Sequence, residues 1–358
     1  MKKENKKLRI AFVNDTFLEG RGADTVIYEL ARRIGKEHDV YVIAGETNIK
    51  EGNFKFIKIN LPKLFQGNLS DFDYFGKLDK LYKQISDLQA KYHFDIFNVH
   101  HIGLSPTMNK FNTVYTWHGS PPTNNIFRKA ISMYFKHNIK YQNKIFISEY
   151  MASLFKSGTA GIIINNGLSK EFRPKSKNDD KEFMLYVGRL EKHKNVSDLI
   201  KVASSIDMPL VVVGYGPEEE KLKLQAGDMD YERYYLHKNY CVSFLGKISR
   251  KELLSLYQDC SFFVSGSKWE GFGLIFVEAA ACGKPSIAYN TSAMPEVILN
   301  NETGYLSNNL HDFTCNALKL KNNKGLRDKM GKNALEFSKK FDWDKTSKKY
   351  VEVFRSLK

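Results

Sequence analysis

Short apolar runs alternate along the chain with segments in which apolar residues recur at helical spacing. The first run, Leu8 to Val13, is followed by an apolar stripe of helical period from Val26 to Ile34. Strands are predicted at Leu8–Val13, Val40–Ala44, Phe54–Ile59, Ile96–Val99, Thr113–Trp117, Lys144–Ile147, Ile162–Ile164, Phe183–Val187, Leu210–Val213, Val242–Leu245, Phe262–Val264 and Ser286–Tyr289. Because parallel strands need crossover connections, this alternation predicts α/β architecture with helices on both faces of parallel sheets.

A polar segment divides the alternating pattern into two series. The stretch NNGLSKEFRPKSKNDDKE is charged and is broken by Pro174. We therefore predict two Rossmann-like parallel-sheet domains at residues 1–168 and 183–340, joined by a linker at 169–182. The last residues, 341–358, are predicted to form a helix that packs back on the first domain.

The composition is that of an ordinary globular protein, with 42% hydrophobic and 27% charged residues among 358. Leu8 to Val13 is shorter than a signal-peptide core, and the four cysteines show no CxxC spacing, so we expect a reduced, cytoplasmic location and no zinc. The net charge of +15 predicts a polyanionic partner: nucleic acid, a membrane surface or a phosphorylated small molecule.

Candidate chemistry lies in the loops that follow the strands, because open parallel sheets bind ligands at their carboxyl edge. The strand Phe183–Val187 ends in GRLEKHKN, which places Gly188 and Arg189 at that edge and Lys194 just before a helix that Asn195 can cap. Two cations beside a helix N-terminus suit a diphosphate group. The alternative is that both cations pair with surface acids.

The next strand runs into VVVGYGPEEE, where Gly214 and Gly216 would let the backbone approach a ligand closely. Pro217 suits the first position of the following helix. A dinucleotide fingerprint would need a third glycine where Glu219 stands, so the motif is a weak signal for NAD.

The stretch SGSKWEGFGLIFVEAAACGKP carries two informative carboxylates. Glu270 lies in the loop after a strand, and Glu278 is the single acid on an otherwise apolar helix. A carboxylate in such surroundings needs hydrogen-bond donors, which the hydroxyls of a sugar or ribose could supply. A buried lysine or arginine is the alternative partner for Glu278.

Histidines in the first half raise the question of a metal site. His118 follows the strand Thr113–Trp117, while His100 and His101 follow the strand Ile96–Val99. Adjacent residues of a strand point to opposite faces, so at most one of the pair could join His118, and a structural role for these histidines stays open. Three D-x-D pairs begin at Asp71, Asp228 and Asp342 without directly following an apolar strand, and we expect no metal cofactor.

At Arg189, Lys194 and the E-x7-E spacing from Glu270 to Glu278, the sequence resembles the retaining glycosyltransferases of family 4, which are two-domain GT-B enzymes. The resemblance covers nearly the whole chain. GRGADTVIYELARRI is similar to the N-terminal glycine loop and helix of the family, and IINNGLSKEFRP to its interdomain segment. It implies two Rossmann-like domains that face an interdomain cleft.

The resemblance also implies a role for each matching residue in binding a nucleoside-diphosphate sugar without a metal. Arg189 and Lys194 would hold the diphosphate, and Glu278 the ribose hydroxyls. Glu270, with the amides of Phe272 and Gly273, would hold the transferred sugar, and His118 would contact that sugar near the anomeric carbon. Further donor-binding positions implied in the same way are Gly22, Gly188, Gly214, Gly216 and Leu274.

Three residues depart from the family pattern. Arg21 interrupts the expected glycine pair before Gly22, Gly266 stands where proline is common, and Asn195 follows the lysine where glycine is frequent. Arg21 directly precedes Gly22, where the resemblance implies that the loop approaches the diphosphate. Arg21 therefore bears on the role implied for Gly22.

Two other functions remain open at this point, a GT-B nucleotide-sugar epimerase and a basic nucleic-acid-binding protein. The second is disfavoured because no basic helix interleaved with aromatic residues is found. The acceptor is expected to be a glycan or a lipid-linked molecule. Lys55, Lys58 and Lys63 interleave with Phe54, Phe56, Leu61, Leu64 and Phe65, which predicts peripheral membrane contact by the first domain, against the alternative of a half-buried strand.

Overall fold

The computed structural model describes residues 6–60, 71–119, 126–140, 142–155, 161–175, 181–233 and 242–358. Within it the chain divides into two compact units. The first unit comprises Met1–Gly167 and Trp343–Lys358, and the second comprises Leu168–Asp342. No helix in the described ranges combines the length and the apolar character needed to cross a membrane.

The described part of the first unit contains a seven-stranded parallel sheet in the order β3-β2-β1-β4-β5-β6-β7. Its strands are β1 (Arg9–Val13), β2 (Asp39–Ala44), β3 (Lys55–Lys58), β4 (Ile96–Val99), β5 (Thr113–Trp117), β6 (Asn143–Phe146) and β7 (Ile162–Ile163). Its α-helices are α1 (Gly22–Ile34), α2 (Asp71–Tyr92), α3 (Ser105–Met108), α4 (Ile126–Asn138), α5 (Glu149–Ser153) and α13 (Trp343–Ser356).

The described part of the second unit contains a six-stranded parallel sheet in the order β10-β9-β8-β11-β12-β13. Its strands are β8 (Met184–Val187), β9 (Leu210–Val213), β10 (Val242–Gly246), β11 (Phe262–Ser265), β12 (Ser286–Tyr289) and β13 (Gly304–Ser307). Its α-helices are α6 (Val196–Ile206), α7 (Glu219–Arg233), α8 (Arg250–Asp259), α9 (Leu274–Ala281), α10 (Met294–Val297), α11 (Leu310–Asn322) and α12 (Lys324–Ser338).

The predicted fold of two Rossmann-like parallel-sheet domains is confirmed. The central strands are buried along their whole length and mostly apolar because helices cover both faces of each sheet, as β5 and β11 illustrate. The sequence pattern missed β13, α11 and α12. The strand β13 reads GYLS and contains too few apolar residues to signal a strand, although it pairs in parallel with β12.

The segment predicted as a linker packs within the second unit. Phe172 lies edge-to-face against Tyr257 of α8, with ring centroids 5.6 Å apart, and the Arg173 carbonyl accepts a hydrogen bond from Gln258. Lys175 forms an ion pair with the buried carboxylate of Asp259. The described linker residues are therefore anchored to α8, because their side chains find apolar and charged partners there.

The C-terminal helix α13 belongs to the first unit. The Arg33 guanidinium of α1 donates to Asp344 at 2.8 Å, and the Thr346 hydroxyl donates to the Asn165 carbonyl at 2.9 Å. Phe354 lies near Phe12 of β1, with ring centroids 6.3 Å apart. The chain thus leaves the first unit once and returns to it with its final helix.

In each sheet, successive strands are added first toward one edge and then toward the other. The switch point lies between β1 and β4 in the first unit and between β8 and β11 in the second. Ligands of doubly wound sheets bind outside the carboxyl ends of the strands at such a switch point. The loops that follow β8 and β11, and those that follow β1 and β4, are therefore the places where each unit can build a site.

Candidate functional site

In the second unit, the residues predicted to bind a donor follow the strands that flank the switch point. Gly188 and Arg189 follow β8, and Glu270 lies in the loop after β11. Lys194 ends a short 3-10 turn, Lys192–Lys194, that precedes α6. The sheet thus brings together residues that are far apart in sequence.

The glycines at this edge let neighbouring loops pack backbone against backbone. Gly214 has φ +126°, and a Cβ there would lie 1.9 Å from the Gly188 carbonyl oxygen. A Cβ at Gly216 would lie 2.4 Å from the Leu190 carbonyl oxygen. We expected these glycines to make room for a ligand, but the space beside Gly214 and Gly216 is taken by protein backbone.

Lys194 and Glu270 form an ion pair at this edge. Lys194 Nζ lies 2.5 Å from Glu270 Oε1, and their side chains are 17% and 12% exposed. Arg189 is 49% exposed, and its Nε lies 2.9 Å from Glu191 Oε1. Pairing with acids, the alternative reading of these cations, is therefore observed for both, but the partner of Lys194 is itself a predicted site residue.

The backbone around Lys194 explains two departures from the family pattern. Asn195 has φ +49°, in the left-handed region that glycine and asparagine adopt most readily. Its side chain donates to Asp198 at 2.6 Å and makes no cap to α6, so the predicted Asn195 cap is wrong. At Gly266 a Cβ would lie 2.4 Å from the Asn195 carbonyl oxygen, so this contact requires glycine.

The loop that carries Glu270 runs into the N-terminus of α9. The Ser292 hydroxyl accepts from the Glu270 amide at 2.9 Å, which fixes the start of the loop. Gly273 has φ +91° and directly precedes Leu274, the first residue of the helix. The Phe272 ring is buried edge-to-face against Phe341, so the backbone of Phe272, rather than its ring, is the group that can serve a ligand.

Glu278 of α9 receives a hydrogen bond from a residue that the sequence did not reveal. The Tyr257 hydroxyl of α8 donates to Glu278 Oε2 at 3.0 Å, and the Tyr257 ring is fully buried. Burial, and secondarily the Glu278 carboxylate, raises the pKa of Tyr257 well above its usual value, so the hydroxyl keeps its proton. Tyr257 occupies an apolar helical position, which marks it as a core residue and gives no sign of its partner.

Two helix starts were predicted in this unit. Ser249 and Glu252 form the expected capping box at α8, with Ser249 N donating to Glu252 Oε2 at 2.8 Å and Glu252 N donating to Ser249 Oγ at 3.3 Å. Pro217 does not open α7, which begins at Glu219. The proline lies in the turn before it.

In the first unit, His118 and His100 meet at the carboxyl ends of β5 and β4. His100 Nδ1 lies 2.8 Å from His118 Nε2, and His100 Nε2 lies 2.8 Å from Asn98 Oδ1. Burial lowers the pKa of His118 to about 4, and burial, together with repulsion between the two rings if both were protonated, holds the pKa of His100 well below its usual range. His100 is thus the one neighbour that joins His118, as the strand geometry predicted.

The loop after β1 is organised around a buried carboxylate that sequence reasoning missed. Asp24 accepts from Asn14 Nδ2 at 2.6 Å, from the Thr16 hydroxyl at 2.9 Å and from the Leu18 amide at 2.8 Å. Burial raises its pKa to about 6, against these hydrogen bonds. Arg21 donates to the Thr16 hydroxyl at 3.0 Å, so the residue that interrupts the glycine pair helps to hold the same loop.

Gly22, the first residue of α1, would meet no atom within 4 Å if it carried a Cβ. The loop therefore leaves open space at this residue. Across the described ranges, no group of three or more His, Cys, Asp or Glu side chains has the arrangement of a metal site.

Comparison with known sequences identifies related proteins over both units. The model of Glycosyltransferase Family 4 matches residues 20–171, and that of Glycosyl transferases group 1 matches residues 169–337. An uncharacterized glycosyltransferase of Methanocaldococcus jannaschii is 32% identical over 252 residues, which are 68% of each chain. O-antigen chain mannosyltransferase B of Escherichia coli is 25% identical over 183 residues, 49% of this chain and 45% of that protein.

Solved structures resemble the whole chain. Sucrose-phosphate synthase from Thermosynechococcus elongatus has a TM-score of 0.82 at 19% identity and covers 98% of this chain and 99% of its own. Anabaena HepE, solved in complex with UDP and glucose, has a TM-score of 0.78 at 16% identity and covers 98% of this chain and 100% of its own. Identities at this level show a shared fold.

Proposed function

This chain belongs to the glycosyltransferases of group 1, which have the GT-B fold, and on that premise we propose that it transfers a sugar from a nucleoside-diphosphate sugar to a glycan or lipid-linked acceptor. We propose further that the anomeric configuration is retained and that no metal takes part. The observation that carries the proposal is the ion pair of Lys194 with Glu270 at the switch point of the second sheet, 2.5 Å long and largely shielded from water.

Lys194 suits the donor diphosphate because of where the backbone holds it. It ends a turn directly before α6, and its ammonium group lies at the sheet edge on which nucleotides bind in this architecture. Arg189, two residues beyond the end of β8 at Val187, adds a planar donor that can contact two phosphate oxygens. Lys194 is paired with Glu270, and Arg189 with Glu191. When a diphosphate binds, each cation would either break its ion pair or contact the acid and the phosphate together.

Glu278 suits the ribose because a hydrogen bond from Tyr257 fixes the position of its carboxylate. The Tyr257 hydroxyl binds Oε2 and holds the carboxylate from the protein side. A carboxylate can accept several further hydrogen bonds, so it can bind ribose hydroxyl groups while it stays bound to Tyr257.

The transferred sugar is assigned to Glu270, to the amides of Phe272 and Gly273 at the start of α9, and to His118. Breaking the bond between sugar and phosphate develops negative charge on the diphosphate and positive charge on the anomeric carbon. Preorganised cations and amide groups at the phosphate lower this barrier without a metal ion. Same-face attack by the acceptor would retain configuration, and we assign no enzymic nucleophile.

Relatives support a nucleotide-sugar donor of this kind. HepE was solved with UDP and glucose and also with UDP-glucose, and two of the Escherichia coli relatives are named as mannosyltransferases. We propose a nucleoside-diphosphate hexose as the donor class for this chain.

We also propose that the first unit contacts an anionic membrane, although fewer residues can take part than the sequence predicts. Phe54 packs edge-to-face on Phe17 and Tyr28, so its ring serves the first unit and is not available to a lipid surface. Lys55 and Lys58 are exposed on β3 and can still meet anionic headgroups. Leu61, Lys63, Leu64 and Phe65 lie outside the described residues.

Calorimetric titration with UDP, GDP and ADP and with UDP-glucose, UDP-N-acetylglucosamine and GDP-mannose tests the proposal. We expect one nucleoside diphosphate and its sugar to bind, and the anomeric proton signals of the product to show retained configuration. Release of an epimerised monosaccharide without an acceptor would identify an epimerase instead. Binding of RNA in place of every nucleotide sugar would contradict the proposed function.

A further inference from the structure

A chain of hydrogen bonds connects His118 to a main-chain carbonyl inside the first sheet. Asn98 Nδ2 donates to the Val114 carbonyl at 3.1 Å and to the Thr116 hydroxyl at 3.0 Å. Asn98 Oδ1 faces His100 Nε2, and His100 Nδ1 faces His118 Nε2, each at 2.8 Å. Asn98 is fully buried and His100 nearly so, which protects the chain from water.

The Val114 carbonyl fixes the direction of every proton in this chain. A carbonyl oxygen can only accept, so Asn98 must turn its amide nitrogen toward Val114 and its oxygen toward His100. His100 Nε2 therefore carries a proton, and in the neutral ring His100 Nδ1 then has a lone pair. His118 Nε2 must donate to that lone pair, which leaves His118 Nδ1 as an acceptor.

The reverse polarity is unfavourable at both ends of the chain. If Asn98 were flipped, its oxygen would face the Val114 carbonyl at about hydrogen-bond distance with no proton between the two acceptors. Protonation of either ring is opposed by burial, which lowers the pKa of both histidines. Both imidazoles are consequently neutral near pH 7, and each has one defined tautomer.

We propose that Asn98 and His100 are positioning residues that hold His118 in the Nε2–H tautomer, so that its Nδ1 lone pair accepts a hydrogen bond from a hydroxyl group of the donor sugar. Within the described ranges, His118 Nδ1 has no hydrogen-bond partner, and the His118 side chain keeps partial exposure. A lone pair attracts a hydroxyl proton and repels a phosphate oxygen, so this histidine selects the sugar and not the diphosphate. The assignment of the sugar rests on the proposed function; the tautomer does not.

Nitrogen-15 NMR of the histidine-labelled protein measures the tautomer directly and needs no ligand. The nine histidines include His118, whose signals are assigned as those missing from His118→Gln. We expect a protonated Nε2 and an unprotonated Nδ1 for His118 in the wild-type protein. A protonated Nδ1, or a His118 ring that exchanges between tautomers, would overturn the proposal.

Variants of His100 test the coupling. His100→Phe removes the acceptor, so we expect His118 to lose its single tautomer and the affinity for the best-binding nucleotide sugar to fall about tenfold, while the affinity for the nucleoside diphosphate alone stays unchanged. His100→Gln retains an acceptor for His118 and a donor for Asn98, and it should restore both readouts. If His100→Phe leaves the tautomer and the sugar affinity as in the wild type, the positioning role is wrong.

His38→Phe is the matched control. His38 is a buried histidine of the same unit, and its Nδ1 accepts from the Leu8 amide at 3.3 Å directly before β2, at the amino edge of the sheet. Its loss should lower stability without changing the His118 tautomer. If the tautomer is as proposed but no nucleotide sugar binds the wild-type protein, the proposed function fails together with the assigned hydroxyl, and the positioning of His118 stands.

Discussion

Replacing Lys194 with alanine should weaken the binding of a nucleoside diphosphate far more than it weakens the fold. A hydrogen bond between a charged donor and phosphate contributes about 1.5–3 kcal/mol, so Kd should rise roughly 10- to 150-fold. The variant should also be less stable than the wild type in the absence of ligand, because Glu270, whose side chain is 12% exposed, loses its ion-pair partner. Breaking a fully buried pair costs about 3–5 kcal/mol, and the residual exposure of this pair places the loss below that range.

A double variant separates the two effects. Glu270→Gln removes the uncompensated carboxylate, so Lys194→Ala with Glu270→Gln should regain the stability lost in Lys194→Ala but not the diphosphate affinity. Glu270→Gln alone should bind the nucleoside diphosphate as well as the wild type or better, since it removes an anion that competes for Lys194. Thermal unfolding measures the stability of each variant, and calorimetric titration with UDP or GDP measures its affinity for the nucleoside diphosphate.

Lys192→Ala is the matched control for charge. Lys192 belongs to the same 3-10 turn as Lys194 and is exposed, so its loss changes the net charge equally without touching the ion pair. We expect its Kd to stay within about threefold of the wild type. If Lys194→Ala also stays within that range, or if Glu270→Gln weakens binding as much, the assignment of the diphosphate to Lys194 is wrong.

The remaining predictions concern ribose binding, metals, pH and lipid. Tyr257→Phe leaves Glu278 one hydrogen bond short and should weaken nucleoside diphosphate binding roughly tenfold with the fold retained; unchanged calorimetric affinity would make Tyr257 a packing residue. Activity should persist in excess EDTA, and loss that manganese or magnesium restores would contradict the metal-free mechanism. Because the pKa of Asp24 is raised to about 6 in the folded state from an ordinary value of 3.8, its contribution to stability is largest at low pH and falls as pH rises toward 6. The unfolding free energy of the wild type should therefore decline relative to that of Asp24→Asn as chemical denaturation is repeated from about pH 4 to pH 7, and parallel curves would refute the shift. The protein should cosediment with anionic liposomes at low salt and be released at high salt; no binding at low salt would refute membrane contact.

Residues that act locally in sequence were predicted well. The predicted capping box joins Ser249 and Glu252, which are three positions apart in sequence, and the structure confirms it. The strands β4, β5, β9 and β12 were located to the residue, because a strand buried on both faces is a mostly apolar run. Asn195 was misjudged as a cap because the sequence does not reveal its left-handed backbone.

Partners that are distant in sequence were not predictable. Tyr257 reads as one more apolar position of α8, and Asp24 as an ordinary acid in the first turn of α1. Their roles depend on which side chains the fold places beside them, Glu278 for the first and Thr16 with Asn14 for the second. Propensity and periodicity describe neighbours along the chain, so they are silent on such contacts.

The sequence by itself determined the α/β class, the two domains and the strand ends at which chemistry gathers, because periodicity and loop composition are properties of consecutive residues. Only the tertiary structure decided that Lys194 pairs with Glu270, and that His100 and not His101 meets His118. Those pairings follow from the order in which strands associate, which brings β8 beside β11 and β4 beside β5. Hydrogen-bonded side chains act over about 3 Å, so their chemistry exists only once the sheets have set that order.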